Sequence, residues 1–163
     1  MLESKYLTDD IRNIQKLMAI PALRGFETKN LGKVLRLSKI RQYEDGESII
    51  QEGDRDRWLY FLLNGKIRIV KGGVEIAATE KTGEMFGEMT LIDNISRSAS
   101  VFAVGKTVCL AVDTSGGGRS GIEDERADFL FLIYRMFAEY LAVRLRLTNE
   151  ELIQLKRKHG VKT

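Results

Sequence analysis

From residue 123 to residue 158 the chain contains neither glycine nor proline. A stretch that lacks both helix breakers for so long reads as one long helix. Two stripes run along it. Leu130, Ile133, Phe137 and Leu141 have the spacing of a face packed on a domain. Ala127, Phe131, Tyr134, Ala138, Leu141, Leu145, Thr148, Leu152 and Leu155 follow alternating steps of four and three, a heptad seam. Such a seam serves either packing within the chain or pairing of two copies. One small domain cannot cover a seam of this length, which favours a homodimer through residues 127–155. The basic end, Lys156-Arg157-Lys158-His159, suits the negative end of the helix dipole.

Upstream the pattern changes. Residues 35–113 carry short apolar runs separated by turn signals, the mark of strands. Asp45-Gly46 and Glu52-Gly53-Asp54 read as turns, and Gly72-Gly73 as another. Leu59 to Leu63 reads as a strand and Asn64-Gly65 as a hairpin turn. Lys66-Ile67-Arg68-Ile69 alternates as a half-buried strand does, and Val108 to Val112 reads as the last strand. Residues 8–34 read as helical. Thr8-Asp9-Asp10 offers a cap, Pro21 interrupts after Leu17, Met18 and Ile20, and Thr28 can cap a helix carrying Leu31, Val34 and Leu35. A flexible Ser115–Gly121 segment then leads into the long helix. The expected fold is mainly β with flanking helices. It is an antiparallel β-roll or jelly roll with N-terminal helices and a long C-terminal dimerisation helix, one domain over residues 1–163.

Composition removes several classes of function. With 163 residues, 44% apolar and 30% charged, the chain can build a core. A formal charge of +3 is too small to argue for nucleic acid. The single histidine, His159, lies in the charged tail, so a histidine-based metal site is excluded and a catalytic triad nearly so. The single cysteine, Cys109, sits in an apolar run and reads as an inert core thiol, which fits a reducing compartment. No apolar stretch is long enough to span a membrane and no signal core opens the chain. The expectation is a cytoplasmic, non-catalytic protein.

One segment carries chemistry. It runs Phe86-Gly87-Glu88-Met89-Thr90-Leu91-Ile92-Asp93-Asn94-Ile95-Ser96-Arg97-Ser98-Ala99-Ser100-Val101. Gly87 permits a backbone path that other residues resist. Glu88 to Leu91 can form one helical turn whose free N–H groups face an anion. The planar fork of Arg97 matches phosphate oxygens. Glu88 only accepts hydrogen bonds when ionised, so it suits sugar hydroxyls. By spacing alone, an Arg–Glu salt bridge on a turn is an equal alternative.

The segment resembles the phosphate-binding cassette of the cyclic-nucleotide-binding domain family, which begins Phe-Gly-Glu and ends Arg-Ala/Ser-Ala-Thr/Ser-Val. The likeness extends to Tyr43–Asp54, to Leu59–Ile67 and to Ile20-Pro21-Ala22-Leu23. It implies that Glu88 binds the ribose 2′-hydroxyl and Arg97 the cyclic phosphate, with Gly87, Met89 and Ser98 adding backbone or hydroxyl bonds. Ser96 stands where the family usually has proline, and Thr90 where it often has alanine. The long helix resembles the dimer helix of the catabolite activator type of regulator. There Thr148, the only polar member of the seam, and Asn149 would contact the base across a dimer. The alternative for Thr148 is a hydroxyl bonding back along its own helix. A base contact there, and Ser98 in place of threonine, favour cAMP over cGMP.

The function implied is a sensor that binds a cyclic nucleotide and moves its C-terminal helix, with no metal, no catalytic residue, no membrane and no DNA-reading module within the chain. Three other readings stay open. One is a dimerisation module with a degenerate pocket. Another is the N-terminal part of a transcription regulator. The third, a cupin-like enzyme, lacks its metal ligands.

Overall fold

The computed structural model describes residues 1–5, 7, 11–20, 23, 24, 28–90, 95–115 and 123–160. Its elements in order are β1 (Leu2–Glu3), α1 (Ile11–Met18), α2 (Thr28–Arg36), β2 (Ser38–Tyr43), β3 (Ser48–Ile50), β4 (Trp58–Lys71), β5 (Val74–Thr79), β6 (Met85–Phe86), β7 (Ser100–Asp113) and α3 (Glu123–Lys158). This is the expected antiparallel roll with flanking helices. No helix among the described residues is long and apolar enough to cross a membrane.

Two 14-residue strands, β4 and β7, form the spine and pair from Trp58↔Asp113 to Val70↔Ser100. Along its other edge β7 pairs first with β3 and then with β2. The other edge of β4 is shared between β6 and β5. β1 extends the sheet beyond β2. The turns at Asp45-Gly46, Glu52-Gly53 and Gly72-Gly73 lie where the sequence places them. Both glycines of the last have positive φ, as a tight two-residue hairpin requires.

The Asn64-Gly65 hairpin expectation is overturned. β4 runs straight through this pair, and the residues on both sides bond to β7 instead of to each other. The register slips at Leu62/Asn64 and again at Asn64/Lys66, which makes the pair a bulge. Gly65 has φ +92°, and a Cβ there would lie 2.6 Å from the Lys106 carbonyl oxygen. The glycine answers to a close strand crossing, not to a chain reversal. Two boundaries also move. α2 ends at Arg36, because Leu31 and Leu35 continue one buried helical face, so the strands begin at Ser38 and not at 35. The last strand begins eight residues before Val108, at Ser100. Thr8–Asp10 and Pro21 lie outside the described residues.

There are two apolar clusters. One fills the roll, with Tyr43, Ile50, Tyr60, Leu62, Ile67, Phe86, Val101 and Cys109. Burial pushes the Cys109 thiol up to about 12, as an inert core thiol requires. The second joins the helices to the outer face of the roll: Leu17, Ile20, Leu31, Val34 and Leu35 meet Leu59, Phe61, Met85 and Leu110. Met18, expected in the same pattern, is exposed. α3 enters this cluster through Leu132, Ile133, Met136 and Phe137. Of the expected packed face, Ile133 and Phe137 are buried and Leu130 partly so, while Leu141 is exposed. Past Leu141 no side chain of the helix is buried. At 1.5 Å per residue α3 is about 54 Å long, more than a domain of this size can cover. All nine seam residues from Ala127 to Leu155 are exposed in the single chain.

Candidate functional site

Residues 87–90, 97 and 98 line an open cleft together with Ile50, Ile69 and Val101. Gly87, Glu88, Met89, Arg97 and Ser98, all expected as site residues, line it together.

Arg97 is the best-defined group. Its side chain is only 2% exposed. Nε donates to Asp56 Oδ2 at 3.1 Å and one terminal nitrogen to Asp56 Oδ1 at 2.5 Å, a two-pronged pair. The same nitrogen donates to the Trp58 carbonyl at 2.6 Å, and the other to the Gly87 carbonyl at 2.6 Å. The turn at Glu52–Asp54 holds the backbone: Arg97 N–H donates to Asp54 O at 2.7 Å, and Gly53 N–H to Arg97 O at 2.9 Å. Ser100 Oγ accepts from Glu52 N–H at 2.9 Å. The guanidinium is therefore fixed before any ligand arrives, and four of its five donors are engaged by protein.

Gly87 is required by this arrangement. Its φ is +82°, and a Cβ would fall 2.8 Å from the Arg97 guanidinium and 3.0 Å from Ile50 Cδ1. Only glycine lets the strand turn out of β6 while its carbonyl meets Arg97. Met89 and Thr90 are helical, and residues 91–94 of the expected turn lie outside the described residues. Met89 is exposed at the cleft, with the Ser98 hydroxyl donating to its sulfur at 3.5 Å. Thr90, the departure from alanine, is buried.

The carboxylates differ in state. Burial pushes Asp56 up, but its bonds from Arg97 and from Trp58 N–H outweigh this and leave it below its ordinary value. Burial raises Glu88 above its ordinary value; its own N–H, Arg144 and Arg97 offset this only in part. Glu88 is thus the more easily protonated of the two.

Further residues shape the site and were not singled out from sequence. Asp56 sits in an alternating run, Asp54-Arg55-Asp56-Arg57, with nothing to mark it. Arg144 reaches the cleft from α3. Its guanidinium pairs with Glu84, and the Tyr140 hydroxyl joins the same group. Arg144 stands one helical turn before Thr148, and that i, i+4 spacing was the available signal. Thr148 and Asn149 do not line the cleft; they lie exposed beyond it on the same chain. Beneath the clamp, Arg41 stacks 4.0 Å over the Trp58 ring, donates to Tyr60 at 2.7 Å and pairs with Glu3 at 2.6 Å.

Comparison with known proteins agrees with this geometry. Residues 40–116 match the cyclic nucleotide-binding domain. A cyclic AMP receptor protein of Thermus thermophilus is 34% identical over 142 residues, which is 81% of this chain and 60% of that one. A cAMP-dependent protein kinase type II regulatory subunit of Drosophila melanogaster is 38% identical over 96 residues, 56% of this chain and 24% of that one. The crystal structure of the Thermus thermophilus catabolite activator protein superposes with a TM-score of 0.60 at 32% identity, covering 83% of this chain and 63% of that one. The chain thus spans less than two thirds of the length of these relatives. Fold, cassette geometry and family match coincide on one segment, and residues 40–116 belong to the cyclic nucleotide-binding domain family.

Proposed function

We propose that the chain, as a single domain, is a cytoplasmic regulatory module that binds a cyclic nucleotide, cAMP in preference to cGMP, and couples occupancy to α3. The observation that carries this reading is the buried, pre-clamped Arg97, which lines the cleft with four of its five N–H donors held by protein. An arginine already ordered by Asp56 loses little freedom on binding an anion. Glu88 accepts from the ribose hydroxyl, and Gly87, Met89 and Ser98 complete the phosphate and sugar contacts. Its relatives are named for cAMP, which supports that choice of base. No residue is assigned a catalytic role.

The reading includes a homodimer through residues 127–155. Phe131 is 72% exposed and Leu145 62%, and a seam this apolar calls for cover. A second copy of α3 supplies it and brings Thr148 and Asn149 from the partner's helix towards the base. Calorimetric titration with cAMP and cGMP tests the reading. Wild type should bind cAMP more tightly than cGMP, and Arg97→Ala should bind at least roughly tenfold more weakly. Absence of binding to either nucleotide would overturn the sensor function. Wild-type affinity in Arg97→Ala would overturn the site.

A further inference from the structure

Glu84 lies just before β6, in the segment that leads into Gly87 and Glu88. Its backbone is fixed to β4: Leu62 N–H donates to Glu84 O at 2.9 Å, and Gly83 N–H to Leu62 O at 2.7 Å. Its carboxylate is only 12% exposed and receives the Arg144 guanidinium from α3. The Tyr140 hydroxyl lies 2.9 Å from Glu84 Oε1 and 2.9 Å from the Met85 carbonyl, so it has two acceptors for one proton. It also accepts from Arg144 at 3.0 Å. Tyr140 itself packs against the helix-facing core. These three side chains therefore tie the long helix to the strand that carries the cassette.

The tie is not closed on itself. Arg144 also lines the cleft, where Glu88 and Arg97 stand. Its side chain is 51% exposed, far more than that of Arg97. An anion in the cleft meets one guanidinium bound by Asp56 and another bound by Glu84. Only the second has the exposure that permits exchange.

We infer that Glu84 and Tyr140 are positioning residues that hold Arg144 at the cleft rim, and that a bound cyclic phosphate competes with Glu84 for it. The inference rests on the cyclic-nucleotide reading of the cleft. When Arg144 turns to the ligand, Tyr140 keeps an acceptor in Glu84 or Met85. The tie slackens to one bond and does not break, so Tyr140 acts as the pivot of α3. Residues beyond 140, which carry the seam and Thr148, then move about that pivot.

The test uses the full chain with cAMP as probe. Calorimetry compares wild type, Glu84→Gln, Arg144→Gln and the double variant. Removing the competitor should tighten cAMP binding roughly fivefold or more. With Arg144→Gln already in place, the same substitution should change nothing. A merely structural brace would give weaker binding in Glu84→Gln. Equal or weaker binding, or a gain that persists without Arg144, overturns the proposal. A second readout needs no ligand. In nucleotide-free protein, amides of residues 138–146 should exchange faster in Glu84→Gln and Tyr140→Phe than in wild type. Unchanged exchange in both overturns the tie whether or not nucleotide binds. Failure of wild type to bind cAMP or cGMP is a different result: it removes the nucleotide reading and the competition with it, while exchange still decides whether the tie exists.

Discussion

The cleft has two guanidinium groups, and they are held in opposite ways. Arg97 belongs to the roll and is buried; a carboxylate and two backbone carbonyls fix it. Arg144 belongs to the helix and is half exposed; Glu84 and the Tyr140 hydroxyl hold it. A charge with four protein bonds in a dry site cannot reorient without leaving polar groups unsatisfied. A charge at a wet rim can change partners at little cost. The roll thus supplies a fixed cation at the cleft, and the helix supplies one that is free to exchange partners.

The sharpest way to break this contrast is to remove Asp56. Asp56→Ala leaves the buried Arg97 short of its partner and should cost about 3 kcal/mol in urea unfolding, the low end for a broken buried pair because Asp56 is itself partly exposed. An unchanged midpoint would place Arg97 in the same class as Arg144. Gly87→Ala comes next. Its positive φ and the 2.8 Å approach to Arg97 should cost about 1–2 kcal/mol and displace the guanidinium, which weaker cAMP binding would register.

Acid titration sharpens the contrast within the roll. Asp56 titrates below its ordinary 3.8, so its stabilisation is present above that pH and is lost as pH falls through the lowered value. Glu88 titrates above its ordinary 4.5, so its contribution is present below that pH and is lost as pH rises through the raised value. Unfolding midpoints measured against pH should therefore flatten at the acid end in Asp56→Asn and on the higher-pH side in Glu88→Gln. The smallest effect belongs to the rim. Glu84→Gln should change stability by less than about 1 kcal/mol, since its partner is solvated. A loss as large as that of Asp56→Ala would erase the distinction.

The sequence discloses one half of this contrast better than the other. Gly87, Glu88, Arg97 and Ser98 lie within a short span, and local chemistry brings them to notice. The bounds of α3 follow from the absence of glycine and proline, and the seam follows from its period. The partners of Arg97 and Arg144 do not show in this way. Asp56 is 41 residues from Arg97, and Glu84 is 60 from Arg144. Pairings over such separations depend on how β4, β6 and α3 pack, and no local pattern records that. Asn64-Gly65 failed for a related reason. The dipeptide signals a positive φ, but whether that serves a turn or a bulge depends on which strand lies across from it.

The stack of Arg41 on Trp58 has an optical consequence. Trp58 is the only tryptophan in the chain, so all indole emission arises at one place. Its ring lies 4.0 Å beneath a cation, and its carbonyl accepts from the Arg97 guanidinium. The molecule carries its own reporter one hydrogen bond from Arg97, and a change at that guanidinium should be followed by light without attaching a label.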